Sequence, residues 1–339
     1  MVYFIFRRLG LAALSLWGVA TIVFVMSRLI PGDIAGVAAG RFASAEQIEH
    51  VRETLGLNKP LVVQYWDFLV HAVHGDLGTS AYTHQSVVSG IGAVLPATIQ
   101  LVVCGMIITI LLAVPLGVLS AVNEGRGGDT AIRLILVLEG GVPVFWLAIM
   151  LRWIFGSILG WFPISSTNSL NGAPPHVTGF SVLDSLLFGD FSNVLDSVGH
   201  LLLPAIALSA PFIATLARNV RSNMMSALKS DYITFAVSKG VPPGRIVIHH
   251  GLRSALGSTL TIAGMQFGWM VSSAVLVEAV FSLPGVGSYM YHAIVNHDTF
   301  AVLGAVLIIG FVFIVTALIV DLVQMSIDPR VRNVQVGVA

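Results

Sequence analysis

Glu139, Arg152 and Asp321 fall inside long apolar runs, where a charge must be paired, hydrated or functional. Glu139, beside Gly140-Gly141, suits a peptide amine or equally a backbone donor, and Arg152 is the other telling charge. Both are candidate lumen or substrate residues. About 20 Å of helix separates them, so they do not pair with each other. Asp321 lies near the end of the last run and reads as interfacial and structural. His71 and His74 share a helix face at the spacing of a metal pair. No third ligand clusters with them and zinc wants three or four, so no metal site is expected. The three lysines follow Asn58, Leu228 and Ser238, which leaves no Gly-Lys-[Ser/Thr] phosphate loop. A Gly-x-Ser-x-Gly elbow and a His-Glu-x-x-His helix are also missing. Cys104 is the one cysteine, so no intrachain disulfide forms. The chain reads as a conduit and not as an enzyme.

The elements that position these residues follow from composition. The 339 residues are 56% hydrophobic and 10% charged, with a mean hydropathy of +0.89. A soluble domain carries about 25% charged residues, so a water-facing surface is excluded. Disorder needs the opposite composition. Seventeen Lys and Arg balance seventeen Asp and Glu, and without a basic excess nucleic-acid binding is not expected. An all-α membrane protein remains. Crossing a ~30 Å hydrocarbon core takes about 20 apolar residues. Six runs qualify: Leu9–Ile30, Val94–Val122, Ile132–Trp161, Leu201–Ala217, Leu260–Phe281 and Phe300–Met325. The fourth is the shortest and contains Pro204 and Pro211. The first is too long for the apolar stretch of a cleaved signal peptide.

Lys and Arg near the helix ends set orientation. With the N-terminus in the cytoplasm, twelve of the seventeen fall inside and only Arg41, Arg52 and Lys59 outside. Both termini are then cytoplasmic. Ten acids lie outside and four inside, so the neutral total hides a polarised chain. The expected organisation is a tail and first span over 1–30, an extracytoplasmic helical segment over 31–93, a five-helix core over 94–325 and a cytoplasmic tail over 326–339.

In the outer segment, Ser44-Ala-Glu-Gln47 predicts a capping box, and Ile48, Val51 and Leu55 share the helix face that follows. Gly56 supplies a left-handed stop. Pro60 opens a second helix through about His74, with Leu61, Tyr65, Phe68 and Leu69 on one side. Gly156…Gly160 and Gly264…Gly268 are small-residue patterns that permit close helix contact.

The long cytoplasmic segment 218–257 holds six of the twelve inside cations. Asp231 is predicted as the N-cap of a short helix with Ile233, Ala236 and Val237 on one side, ended by Gly240-Val-Pro242-Pro243. Such a helix is shaped to dock in a groove of another protein. The stretch Asp231-Tyr232-Ile233, Ala236, Lys239-Gly240, followed by Arg245, resembles the ATPase-coupling helix of binding-protein-dependent ABC importer permeases, in the peptide-transport branch. Further matches run along nearly the whole chain. They are Arg7-Arg8, Pro31-Gly-Asp33, Leu55-Gly-Leu-Asn-Lys-Pro60, Gly75-Asp-Leu-Gly-Thr-Ser80, Pro143-Val-Phe-Trp146, Glu278-Ala-Val-Phe-Ser-Leu-Pro-Gly-Val-Gly287 and Asp321 through Asp328-Pro-Arg330. Departures from the branch pattern are Thr234, Phe235, Val237 and Gly257-Ser258.

The resemblance implies a type I importer permease fold of six spans, the first of two permeases. A homologous permease would complete a heterodimer, with two ATP-binding subunits and an extracytoplasmic substrate-binding protein in a bacterial cytoplasmic membrane. ATP and magnesium would be bound by the ATPase subunits, leaving this chain without a cofactor. Pro284, Gly285 and Gly287 would form the outer turn at the permease interface. The implied cargo is a di- or oligopeptide; relatives carry nickel chelates, glutathione or haem. A secondary transporter, the reading from another class, would need inverted repeats and an acidic relay, and neither is visible.

Overall fold

A computed structural model describes residues 2–29, 34–39, 43–54, 56–164 and 177–327. Among the described residues the regular structure is helical, apart from one isolated bridge between Thr79 and Ser86. Pro31-Gly-Asp33, Leu55 and Asp328-Pro-Arg330 lie outside the described residues.

Helix α1 (Val2–Leu29) is followed by α2 (Ile34–Ala39), α3 (Ala45–Thr54) and α4 (Leu61–Val73). The capping box forms as expected: the Ser44 amide donates to Gln47 Oε1 at 2.8 Å, and the Gln47 amide donates to Ser44 Oγ at 3.2 Å. Gly56 at φ +65° takes the left-handed turn that ends this segment. Pro60 stands one residue before α4, as its N-cap. The α4 helix lies along α1, with Tyr65 Oη 2.6 Å from Thr21 Oγ1 and the Tyr65 ring edge-on to Phe24 at 5.2 Å.

Helix α5 (Val87–Val122) leads through a short turn to α6 (Gly127–Gly140) and α7 (Val144–Leu151), which continues through a π-helical turn, Arg152–Ile158. After α8 (Ser181–Leu187) comes α9 (Phe191–Leu228), capped by the Asp190 carboxylate, which accepts from the Ser192 and Asn193 amides. Next are α10 (Asp231–Ser238), α11 (Pro243–Arg245), a second π-helical turn (Ile246–Leu252), α12 (Arg253–Phe281), α13 (Val286–Val295) and α14 (Thr299–Ile327). Five continuous helical runs are long and apolar enough to cross a membrane, and α6 with α7 make a sixth only as a pair bent by 97°.

Three expectations are corrected. The run 132–161 is not one helix. Pro143 lacks an amide and disfavours helical backbone at Val142, so the chain breaks between Gly140 and Pro143. The run 201–217, expected to be the shortest span, lies inside the longest helix. Pro204 and Pro211 stay within α9 because neighbouring helices supply the packing that a membrane helix with prolines needs. The segment 218–257 is largely helical, because α9 runs on to Leu228 and the α12 run begins at Pro243.

Helix α9 forms the centre of the core. Leu201, Leu208, Leu216 and Ala217 are buried among Leu101 and Val102 of α5 and Met270 and Val277 of α12. Close approach is built from glycine: a Cβ on Gly117 of α5 would overlap Val220 of α9. Gly264 and Gly268 of α12 meet Val320 and Phe313 of α14 in the same manner, as the small-residue pattern predicted. Gly156 and Gly160 do otherwise. Gly156 abuts Ile164 of its own segment, and Gly160 at φ +62° makes a turn.

Candidate functional site

The surface that presents α10 starts from its caps. Ser230, not Asp231, is the N-cap; Asp231 is the first helical residue, where its charge meets the positive end of the helix. Gly240 at φ +77° ends the helix in left-handed backbone. Ile233 is buried (4% exposed) and Ala236 is half-buried, whereas Val237 faces outward, against expectation. The cause is that α10 packs mainly on the second π-helical turn, a narrow support that covers Ile233. Tyr232 and Phe235, at i and i+3, are exposed on one side of α10, and Val237 is exposed on the other. Lys239 Nζ sits 4.4 Å above the Phe235 ring, and Arg245 is exposed on α11.

Near the end of α9, the helix that leads into α10, is an ion cluster that the sequence alone did not single out. Arg221 of α9 donates to Asp129 of α6 through two parallel bonds, Nε–Oδ1 at 2.9 Å and Nη2–Oδ2 at 3.0 Å. Ser120 Oγ of α5 donates to the same carboxylate at 2.6 Å, and the Gly125 amide donates at 3.3 Å. Asp129 is 1% exposed. Three helix ends thus converge on one carboxylate. Beside it Lys229, at the C-cap of α9, pairs with Glu124 at 2.8 Å. The sequence signal was an acid in the first turn of a helix within a cation-rich region, but its partner is 92 positions away.

At the bend, Glu139 is half-buried at the last turn of α6, and among the described residues no hydrogen bond or ion pair to its carboxylate occurs. A Cβ on Gly140 would lie 3.5 Å from Ala214 and 3.8 Å from Arg218 Nη1, which places the Arg218 guanidinium beside the bend. Arg152 is elsewhere. It donates to the Val280 carbonyl in the last turn of α12, a group that has no partner within its own helix. Arg152 is therefore engaged at a helix contact, and Glu139 is not.

The outer turn is organised by Glu278, another residue whose role was not foreseen. Glu278 is 1% exposed; Oε1 accepts from Thr98 Oγ1 at 2.6 Å and Oε2 from the Gly287 amide at 2.7 Å. The Val286 amide donates to Thr98 Oγ1 at 2.8 Å. A Cβ on Gly285 would overlap the Glu278 carboxyl group, and one on Gly287 would overlap Val275. The glycines are required by close approach to a buried acid. Pro284 lines an adjoining hollow with Ser80, Tyr82 and Asp298, and the Asp298 carboxylate accepts from the Ser80 hydroxyl and the Tyr82 amide. His71 and His74 turn Nδ1 to carbonyls of their own helix at 2.7 and 2.8 Å. Asp321 pairs with Arg8 at 2.5 Å, joining α14 to α1.

Apolar helices of spanning length, a broken pair and a short helix presented at one end define an all-α integral membrane permease with the type I architecture. Residues 113–333 match the family described as the inner membrane component of binding-protein-dependent transport systems, and residues 1–102 match that family's N-terminal unit. The chain is 36% identical to the dipeptide transport system permease protein of Alkalihalophilus pseudofirmus, over 98% of this chain and 100% of the relative. It is 35% identical to the di/tripeptide transport system permease protein of Pseudomonas aeruginosa, over 98% and 99%. It is also 36% identical to a probable D,D-dipeptide transport system permease protein of Escherichia coli, over 93% of each. The chain belongs to the family of inner membrane components of binding-protein-dependent transport systems.

Proposed function

We propose that the chain is the first of two permeases in an ATP-driven importer of di- and oligopeptides. The observation that carries this reading is α10, whose exposed Tyr232 and Phe235 stand on a short helix that follows directly on α9, itself tied to α5 and α6 at Asp129. An exposed apolar face on a short capped helix fits a groove in a partner. The dipeptide permeases to which the chain is similar over nearly their whole length support a peptide as cargo, in preference to a nickel chelate, glutathione or haem.

In this reading α10 seats in an ATP-binding subunit, with Asp231, Tyr232, Ile233, Ala236, Lys239, Gly240 and Arg245 at or behind the contact. Two such subunits bind ATP and magnesium, and their closure moves α10 and through Asp129 the ends of α5, α6 and α9. This chain holds no cofactor of its own. A second permease packs beside it, with Pro284, Gly285 and Gly287 in the outer turn, and an extracytoplasmic binding protein delivers the peptide. The setting is a bacterial cytoplasmic membrane with both termini inside, consistent with the excess of Lys and Arg at the α10 end. Glu139 is the candidate contact for the peptide amine.

Co-purification tests the assembly. The tagged chain, expressed with its neighbouring subunits, should carry along an ATPase with a phosphate-binding loop. Isolation as a self-sufficient transporter would sink the reading. For the cargo contact, Glu139→Gln should lower peptide uptake by the assembled complex, and unchanged uptake would remove Glu139 from the path.

A further inference from the structure

Two adjoining hollows are lined by residues of α1, α4 and α14, with Leu77 and Leu307 bordering both. The upper, of about 300 Å³, is lined by Ser27 and Arg28 of α1, Gln64 and His71 of α4, and Phe300 and Gly304 of α14, among others. The lower, of about 690 Å³, is mainly apolar, with Leu16, Trp17, Trp66, Leu69, Ile308 and Phe311 in its wall. Arg28 and Trp17 are eleven residues apart on α1, roughly 16 Å. That is about the depth of one leaflet of a ~30 Å hydrocarbon core. Trp17, Trp66 and Val73 in the wall of the lower hollow are exposed, so it faces the bilayer.

Among the described residues that line the upper hollow, Arg28 is the one Lys or Arg in no ion pair. Lys59 pairs with Asp67 at 2.8 Å. Asp76 Oδ1 accepts from the Gly78 amide, and His71 Nδ1 is bonded to the Asp67 carbonyl. Arg28 donates to Gln64 Oε1 and lies over the Phe24 ring at 5.1 Å, with no carboxylate partner among the described residues. Gln64 is fixed in turn, its Nε2 donating to the Leu57 and Lys59 carbonyls at 3.0 and 2.6 Å. The guanidinium is therefore preorganised and has donors to spare. Arg28 is exposed near the end of α1 with donors free for an anion, and a guanidinium matches phosphate through paired donors.

We propose that the two hollows together bind one glycerophospholipid, with its phosphate on Arg28 and an acyl chain against Trp17 and Trp66. Charge selects the head and the apolar wall selects the tail. The proposal does not depend on which substrate the complex carries.

The test uses the intact transporter complex, purified, stripped of lipid and read by native mass spectrometry. It is titrated with phosphatidylglycerol, with diacylglycerol of the same chains and with inorganic phosphate. Arg28→Met should weaken phosphatidylglycerol at least ten-fold and leave diacylglycerol unchanged. Ala13→Trp, at an exposed position in the wall of the lower hollow, should weaken both. Phosphate alone should bind at least ten-fold more weakly than the lipid. Equal retention of phosphatidylglycerol by the parent and Arg28→Met complexes would overturn the proposal. So would an Ala13→Trp complex that binds as the parent does, or inorganic phosphate binding as tightly as the lipid.

Discussion

Arg221 and Asp129, 92 residues apart in sequence, meet through two parallel hydrogen bonds of 2.9 and 3.0 Å, and this pair joins α6 to α9, the helix that leads into α10. Because Ser120 of α5 donates to the same carboxylate, displacement of any one of three helix ends is felt by the other two. In the proposed importer this cluster is where movement of α10 enters the membrane helices.

Removing one partner should be costly. Asp129→Ala leaves a half-buried guanidinium unpaired, which should cost up to about 3–5 kcal/mol, the range for breaking a fully buried pair. Arg221→Lys keeps the charge but loses the fork that both oxygens use, so a smaller loss is expected. Thermal unfolding of the purified complex should rank them parent, Arg221→Lys, Asp129→Ala. An Asp129→Ala complex as stable as the parent would remove the cluster from the account.

The outer turn should respond to its glycines as strongly as to its acid. Gly285→Ala drives a methyl group into the Glu278 carboxyl and is expected to cost 1–3 kcal/mol, the range for overpacking. Glu278→Gln must offer an NH2 to either Thr98 or the Gly287 amide, which leaves one bond unmade at about 1–3 kcal/mol. Combined with Thr98→Val, its effect should be non-additive, since all three groups share one network. Strict additivity in a double-mutant cycle would show that they act independently.

The exposed face of α10 should matter for assembly and not for folding. Phe235→Ala and Tyr232→Ala remove exposed rings, so the stability of this chain should change by no more than about 0.5 kcal/mol. Retention of the ATPase subunits should fall about ten-fold for Phe235→Ala, the more exposed ring, as for an interface anchor. Ile233→Ala, buried, should lower stability as well. Pull-down and melting measured on the same variants separate the two effects.

Acid should loosen the turn before α8 selectively. Burial pushes the Asp184 carboxyl up, but the Thr178 hydroxyl and the Thr178, Gly179 and Val177 amides donate to it and together hold it below its ordinary value. A depressed carboxylate contributes stability that is full above its unfolded value of about 3.9 and is lost as pH falls through the lower folded value. The melting difference between parent and Asp184→Asn should therefore be constant from pH 8 to 5 and shrink below about pH 4. A difference that grows toward low pH would reverse the sign and refute it.

What could be read from the sequence was local. The capping box at Ser44 and Gln47, the stop at Gly56 and the extent of α10 between Ser230 and Gly240 depend on neighbours within a few residues, and each forms. The break after Gly140 was also signalled locally, by Gly-Gly-Val-Pro, but the apolar run through it was read as continuous. What was missed depends on distant partners. Asp129 needs Arg221, Glu278 needs Thr98 180 positions away, and Arg152 needs Val280. Composition marks such residues as charges in costly places, and only the packing of α5, α9 and α12 shows which groups satisfy them.

The central claim is that this chain passes peptides only when ATP-driven subunits move α10. It is tested most directly by uptake of a labelled dipeptide into proteoliposomes that hold the assembled complex, with its binding protein outside. The account predicts uptake only when ATP is present on the α10 side, and its loss with Phe235→Ala in proportion to lost ATPase retention. Peptide uptake driven by a proton gradient in the absence of ATP would contradict it.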